Sequence, residues 1–166
     1  VEIDRKLKLL PSLIEEPLTY ANFLDLVFDD KYKSIIGNPP YVKKKGSNLY
    51  IDFIDKCFEL LDDEGELIFI IPSDFFKLTS ASKLIERMIN QGNFTDIFHP
   101  HDENLFDEAS VDVLIFRYVK TNILNKKISY NNKEKHIIMN NGSLIFSDNV
   151  NKDMIKFSDY FDVYVG

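Results

Sequence analysis

Asn38-Pro39-Pro40-Tyr41 is the stretch of this chain whose residue types and spacing could do chemistry. It directly follows the apolar run Ser34-Ile35-Ile36-Gly37. Pro fixes its own φ and restricts the residue before it, so the run reads as a strand that stops at a stiff turn. Asn38 and Tyr41 are then presented at a strand's carboxyl end, the edge where open α/β sheets bind ligands. Asn38 offers a side-chain carbonyl and Pro39 a backbone carbonyl, so two acceptors can converge on one exocyclic amino group of a planar ring. Tyr41 can stack on the ring's face. Hydrogen bonds accepted from an aromatic amine draw its lone pair out of the ring and towards an incoming electrophile. Orientation and electrostatics then do the work of a strong base. A rigid strand-end turn without chemistry is the competing reading, and the rest of the chain decides between them.

The elements around the turn read as alternating strands and helices. Apolar residues recur at Tyr50, Phe53, Ile54, Cys57, Phe58 and Leu61, the spacing of an amphipathic helix. Asp62-Asp63-Glu64-Gly65 is expected to end it. Leu67-Ile68-Phe69-Ile70-Ile71 is a continuous apolar run of strand length, expected to be covered on both faces and closed by Pro72. Thr79 or Ser80 is the expected cap of a second helix with inner face Leu84, Ile85, Met88 and Ile89, closed by Gln91-Gly92. Strands follow at Phe94-Thr95-Asp96-Ile97-Phe98 and at residues 111–119. The loop at residues 99–110 holds no helical pattern, so these two strands are expected to pair antiparallel. Short strands at Lys127–Tyr130 and His136–Met139 flank a hairpin signal at Asn131-Asn132, and Asn140-Asn141-Gly142 turns again before Leu144-Ile145-Phe146.

Asn-Pro-Pro-Tyr after a hydrophobic strand resembles the catalytic motif of S-adenosylmethionine-dependent amino-methyltransferases, above all DNA adenine-N6 methyltransferases of the γ arrangement. Enzymes acting on the glutamine amide of release factors or on guanine N2 of RNA share the tetrapeptide. The helix, acidic-Gly turn, buried strand and Pro72-Ser73-Asp74-Phe75-Phe76 look like the next motifs of the DNA enzymes. The resemblance covers roughly residues 1–120, and more loosely the tail. It implies an α/β, Rossmann-like methyltransferase sheet with a terminal antiparallel hairpin, whose first strand and Gly-rich motif are missing from the chain. Residues 1–120 become a partial catalytic domain, and residues 121–166 a hairpin-rich extension leading towards a target-recognition domain. The segment alone is expected to be marginally stable, because the missing strand would leave unpaired inner edges.

The same resemblance assigns roles. Asn38, Pro39, Pro40 and Tyr41 form the catalytic turn, and Tyr41 and Phe106 stack a flipped target base from opposite sides. Val1-Glu2-Ile3-Asp4 resembles the second cofactor motif, placing Glu2 on the ribose and Ile3 on one adenine face. Leu18-Thr19-Tyr20-Ala21 is expected as the strand before Asn22, which keeps a carbonyl acceptor for the cofactor's adenine amino group where many relatives carry Asp. Phe23 covers the other adenine face, and Phe53 and Asn38 also line the S-adenosylmethionine site. The rival functions are methylation of a protein glutamine amide or an RNA base, and a non-catalytic remnant of the fold.

Composition bounds these expectations. The chain has 166 residues, 45% hydrophobic, enough for a substantial core. Its formal net charge of −7 argues that electropositive surface for gripping duplex DNA lies elsewhere. One cysteine, Cys57, excludes an internal disulfide and fits a reducing, cytoplasmic setting. No apolar run approaches the ~20 residues of a membrane span. His99 and His101 with Asp102 lack the ligand number of a metal site, so no metal is expected. A restriction endonuclease, as partner or fused nuclease, is the expected companion of such an enzyme.

Overall fold

The computed structural model describes residues 21–44, 47–101 and 111–149. Strand β1, Tyr32–Gly37, leads into the two-residue strand β2, Lys43–Lys44, which pairs antiparallel with β3, Ser47–Asn48. Helix α1, Leu49–Leu60, and strand β4, Leu61–Pro72, follow, then α2, Ser82–Asn90, and the strands β5, Gly92–Phe98, and β6, Val113–Lys120. The chain continues through β7, Lys127–Tyr130, β8, Lys133–Asn140, and β9, Ser143–Ser147.

These strands form a seven-stranded sheet in the order β1-β4-β6-β5-β7-β8-β9. β1 and β4 run parallel, with Gly37 beside Phe69. β6 lies between β4 and β5 and runs antiparallel to both, the pairing the sequence leads one to expect of β5 and β6. β7 then pairs parallel with β5, and β7, β8 and β9 make a meander that continues the same sheet. Its tight turns use left-handed backbone at Asn131 (φ 48°) and Asn132 (φ 62°), then at Asn141 (φ 48°) and Gly142 (φ 80°). Asn tolerates that region, which explains why Asn-Asn and Asn-Gly mark the hairpins.

The core lies on one face of the sheet. Leu67, Phe69 and Ile71 of β4, Leu114, Phe116 and Tyr118 of β6, and Phe94 of β5 are buried there. They meet Tyr50, Ile54 and Phe58 of α1 and Leu84, Ile85 and Met88 of α2. Phe116 packs against Phe69, Phe75, Phe76 and Phe94, and the buried Tyr118 hydroxyl donates to the Met88 carbonyl at 2.8 Å. Alternate residues behave otherwise: Ile68 and Ile70 are only half-buried. Equal cover on both faces, expected of β4, is therefore not what the described residues show, since that face also carries the polar Arg117, bonded to Glu66 at 2.8 Å.

Two further expectations are corrected. The acidic turn is absorbed into the β4 ladder: Leu61 already pairs with Tyr32, Glu66 pairs with Ser34, and the four residues between bulge outward with Glu64 left-handed at φ 57°. Thr79 and Ser80 do not cap α2. They lie in a 3₁₀ turn, Thr79–Ala81, that feeds the helix; Ala81 holds the cap position and Ser82 donates back to the Thr79 carbonyl at 2.8 Å. Of the expected inner face of α2, Ile89 is half-buried. No helix of the described residues is long and apolar enough to cross a membrane.

Candidate functional site

The parallel pairing of β1 with β4 brings their carboxyl ends together, and the Asn38–Tyr41 turn sits on that edge. Pro39 is buried and anchors the turn, while Asn38 and Pro40 are exposed. The half-buried Tyr41 reaches across the strand ends. Its hydroxyl lies 2.8 Å from Asn38 Oδ1 and 3.0 Å from the Ile70 carbonyl. Its ring meets the Tyr50 ring edge-on at 6.2 Å, and Tyr50 in turn meets Phe75. Burial pushes the Tyr41 phenol up to about 12, so it remains a hydrogen-bond donor through the neutral range. A carbonyl oxygen has two lone pairs, and Tyr41 takes one of Asn38's, leaving the other for an incoming N–H.

Asn22 is exposed and caps a 3₁₀ turn, Phe23–Asp25. Its Oδ1 accepts from the Leu24 amide at 3.3 Å, and its Nδ2 donates to Asp25 Oδ2 at 2.6 Å. Ala21 forms a bend, so the part of the expected preceding strand that is described is not strand; residues 18–20 lie outside the described residues. Phe23 is half-buried and lies 5.1 Å from the half-buried Phe53 of α1, their planes 34° apart. Phe23 and Phe53, thirty positions apart in sequence, thus share one aromatic wall. Glu2, Ile3 and Phe106 lie outside the described residues.

A second polar constellation escaped the sequence. Ser73, just past β4, donates its hydroxyl to Asp112, just before β6, and its amide to the Asp112 carbonyl at 2.9 Å. His99, just past β5, has Nε2 at 2.9 Å from the Asp112 carboxylate and Nδ1 at 2.8 Å from the Tyr130 hydroxyl. With the proton on Nε2, where the carboxylate accepts it, Nδ1 accepts from Tyr130. Asn131 closes the chain, its Oδ1 accepting from the His99 amide at 2.7 Å and its Nδ2 donating to the His99 carbonyl at 2.8 Å. The Ser73 hydroxyl, then the His99 ring, hold the Asp112 carboxyl below its usual range. This network ties the ends of β4, β5, β6 and β7 beside a cavity of about 720 Å³ that Phe76, Tyr130 and Phe146 also line. The sequence offered only the His99/His101 pair as a signal. Its partners are on other strands.

The family model described as Eco57I restriction-modification methylase matches residues 4–106. The Type II methyltransferase M.HincII of Haemophilus influenzae is 32% identical over 132 residues, a match covering 66% of this chain and 26% of that protein. Among solved structures, a class I S-adenosylmethionine-dependent methyltransferase from Listeria monocytogenes superposes with TM-score 0.51 at 18% identity, over 66% of this chain and 40% of that one. The type I restriction-modification methyltransferase subunit from Streptococcus thermophilus superposes with TM-score 0.54 at 14% identity, over 78% of this chain and 33% of that one. The chain thus spans about a quarter of the length of the curated relative, and the sheet is the Rossmann-like one of the methyltransferases.

Proposed function

The chain belongs to the Eco57I restriction-modification methylase family, and from that premise we propose that it carries the catalytic turn and part of the cofactor site of a DNA adenine-N6 methyltransferase using S-adenosylmethionine. The observation that carries this reading is the exposed Asn38 at the carboxyl end of β1, its Oδ1 bonded at 2.8 Å to a Tyr41 hydroxyl that also reaches Ile70. Asn38 Oδ1 and the Pro39 carbonyl accept the two hydrogens of the adenine amine and orient its lone pair outward. Positioning of this kind supplies catalysis without a general base. Tyr41 and Phe106 stack the flipped base, which offsets the few kcal/mol spent on unstacking it.

The described residues suit the cofactor. Phe23 and Phe53 present half-buried rings 5.1 Å apart, and the exposed Asn22 amide adjoins them, a pairing of apolar face and polar edge that matches an adenine ring. Asn22, Phe23, Phe53 and Asn38, with Glu2 and Ile3, hold the cofactor, which when bound supplies an electrophilic methyl group. Asn22's carbonyl keeps a second lone pair beyond its bond to Leu24. Duplex DNA is the substrate, and with a formal charge of −7 on this chain, its grip comes from other parts of the protein. A restriction nuclease is the companion activity, and the cytoplasm, where DNA is, is the site of action.

The test is Asn38→Ala in the intact protein, assayed by transfer of a tritiated methyl group to DNA, to release factor and to RNA. The expected result is transfer to DNA by the parent and its loss in the variant, with S-adenosylmethionine binding retained. Unchanged transfer by the variant removes Asn38 from catalysis, and transfer to release factor or RNA instead of DNA replaces the substrate.

A further inference from the structure

Lys33 and Lys127 pair with exposed carboxylates and Lys31 bonds the single backbone carbonyl of Glu59, whereas Lys56 meets three backbone carbonyls. It projects from α1, half-buried, and among the described residues the hydrogen-bond partners of its ammonium are backbone oxygens. Nζ lies 2.6 Å from the Phe23 carbonyl, 2.9 Å from that of Leu24 and 2.6 Å from that of Leu26. An ammonium has three donors and no acceptor, so all three donors are spent on one short loop. The same nitrogen lies 5.0 Å from the Phe23 ring centroid and 5.4 Å from that of Phe28, where the ring quadrupole attracts a cation.

Lys56 adds to the local contacts that shape this loop, among them the Asn22 cap on the Leu24 amide and the packing of Phe23 on Phe53. Its 3₁₀ turn closes on two backbone bonds, Asp25 to Asn22 at 3.0 Å and Leu26 to Phe23 at 3.3 Å. Converging carbonyl dipoles repel, and an ammonium placed among those of Phe23, Leu24 and Leu26 offsets that repulsion, even though the Phe23 carbonyl also accepts from the Leu26 amide. Phe53 stands three residues before Lys56 on α1, so one helix face supplies both the ring against Phe23 and the charge beneath it.

We infer that Lys56 is a positioning residue that gathers the carbonyls of Phe23, Leu24 and Leu26 and thereby presets Asn22 and Phe23 for the cofactor's adenine. This rests on the assignment of Asn22 and Phe23 to the cofactor. Lys56 touches neither cofactor nor substrate; its contribution is to spare the binding step the ordering of the loop.

The experiment is isothermal titration of the intact protein with S-adenosylmethionine, alongside steady-state methyl transfer. Lys56→Met keeps the stem and removes the donors. It is expected to raise the cofactor Kd roughly tenfold, about 1.4 kcal/mol, while kcat at saturating cofactor and the KM for DNA stay within about twofold. Lys56→Arg keeps the charge, but a planar fork cannot aim three donors at converging carbonyls, so its Kd should fall between the two. A wild-type Kd in Lys56→Met overturns the inference, as does a loss of kcat with unchanged Kd. If Lys56→Met does not fold, a raised Kd in Lys56→Arg supports the inference and a wild-type Kd overturns it. Asn22→Ala and Phe23→Ala separate the two levels: weakened binding in these with none in the Lys56 variants defeats only the role of Lys56. Unchanged binding in both defeats the assignment of the loop to the cofactor, and the role of Lys56 with it.

Discussion

Gly37 ends β1 immediately before Asn38, and its lack of a side chain is a requirement of the neighbouring strand. A Cβ built there falls 2.6 Å from Phe69 Cε1 and 3.0 Å from Cζ, whereas carbons in contact sit about 3.5–4.0 Å apart. The ring has to retreat by about 1 Å. Phe69 is 2% exposed and packs against Phe116, so close packing leaves it little room to do so. Overpacking of this kind costs about 1–3 kcal/mol. Gly37 is not among the residues with positive φ, so Ala suits its backbone and recovers about 0.4–1 kcal/mol through the unfolded chain. The steric term wins, and Gly37→Ala should destabilise by roughly 1–2 kcal/mol. If the strain is relieved by moving β1 rather than Phe69, the displacement passes to Asn38, and a shift of about 1 Å at a positioning group can cost on the order of 100-fold in rate. Urea-unfolding midpoints of the intact protein read the first effect, and kcat for methyl transfer with the cofactor Kd reads the second. Phe69→Leu opens the space, so the double variant should be less destabilised than the sum of the single ones by at least about 1 kcal/mol. Additive effects within ~0.5 kcal/mol, or an unperturbed Gly37→Ala, would refute the proposed contact.

Three other outcomes follow from the same geometry. Tyr41→Phe keeps the ring but removes the hydroxyl that joins Asn38 to Ile70; it should lower kcat about five- to tenfold and stability by about 1 kcal/mol, with cofactor binding unchanged by titration. Unaltered kcat would show that Asn38 needs no such tether. Asp112 has a carboxyl held low in the folded state, chiefly by Ser73 and then by His99, so its stabilisation is complete above the unfolded carboxyl range, near pH 4, and is lost as the pH falls through the lower folded value. Urea midpoints should therefore decline below about pH 4, and Asp112→Asn should flatten part of that decline; an identical pH profile would remove Asp112 from the acid response. Tyr118→Phe strips a buried hydroxyl from the Met88 carbonyl and should cost about 1 kcal/mol by urea unfolding without altering kcat.

What the sequence by itself determined were the features written in neighbouring residues. Two prolines after Gly37 dictate a stiff strand end whatever surrounds them, because φ at Pro is fixed covalently. Asn131-Asn132 and Asn141-Gly142 announce their hairpins through tolerance of left-handed backbone, and the spacing from Tyr50 to Leu61 announces α1. The lack of a helical pattern in the sequence between Phe98 and β6 fits the antiparallel return of β6 beside β5. Within the site, the exposure of Asn38 at a strand end was legible in this way, whereas Phe23 and Phe53 were singled out by the family resemblance and read from the residues alone as core positions. What only the tertiary structure decided depends on register between strands distant in sequence. The stretch from Asp62 to Gly65 has the composition of a turn, yet it becomes a bulge because Leu61 already pairs with Tyr32. Tyr41 can bind Ile70 only because β1 and β4 end side by side, and Ser73, His99 and Asp112 meet only because β6 lies between β4 and β5. Lys56 reads as an ordinary polar position on a helix until folding carries it to the loop at Phe23, since no local pattern records which backbone oxygens an ammonium will meet across the sheet edge.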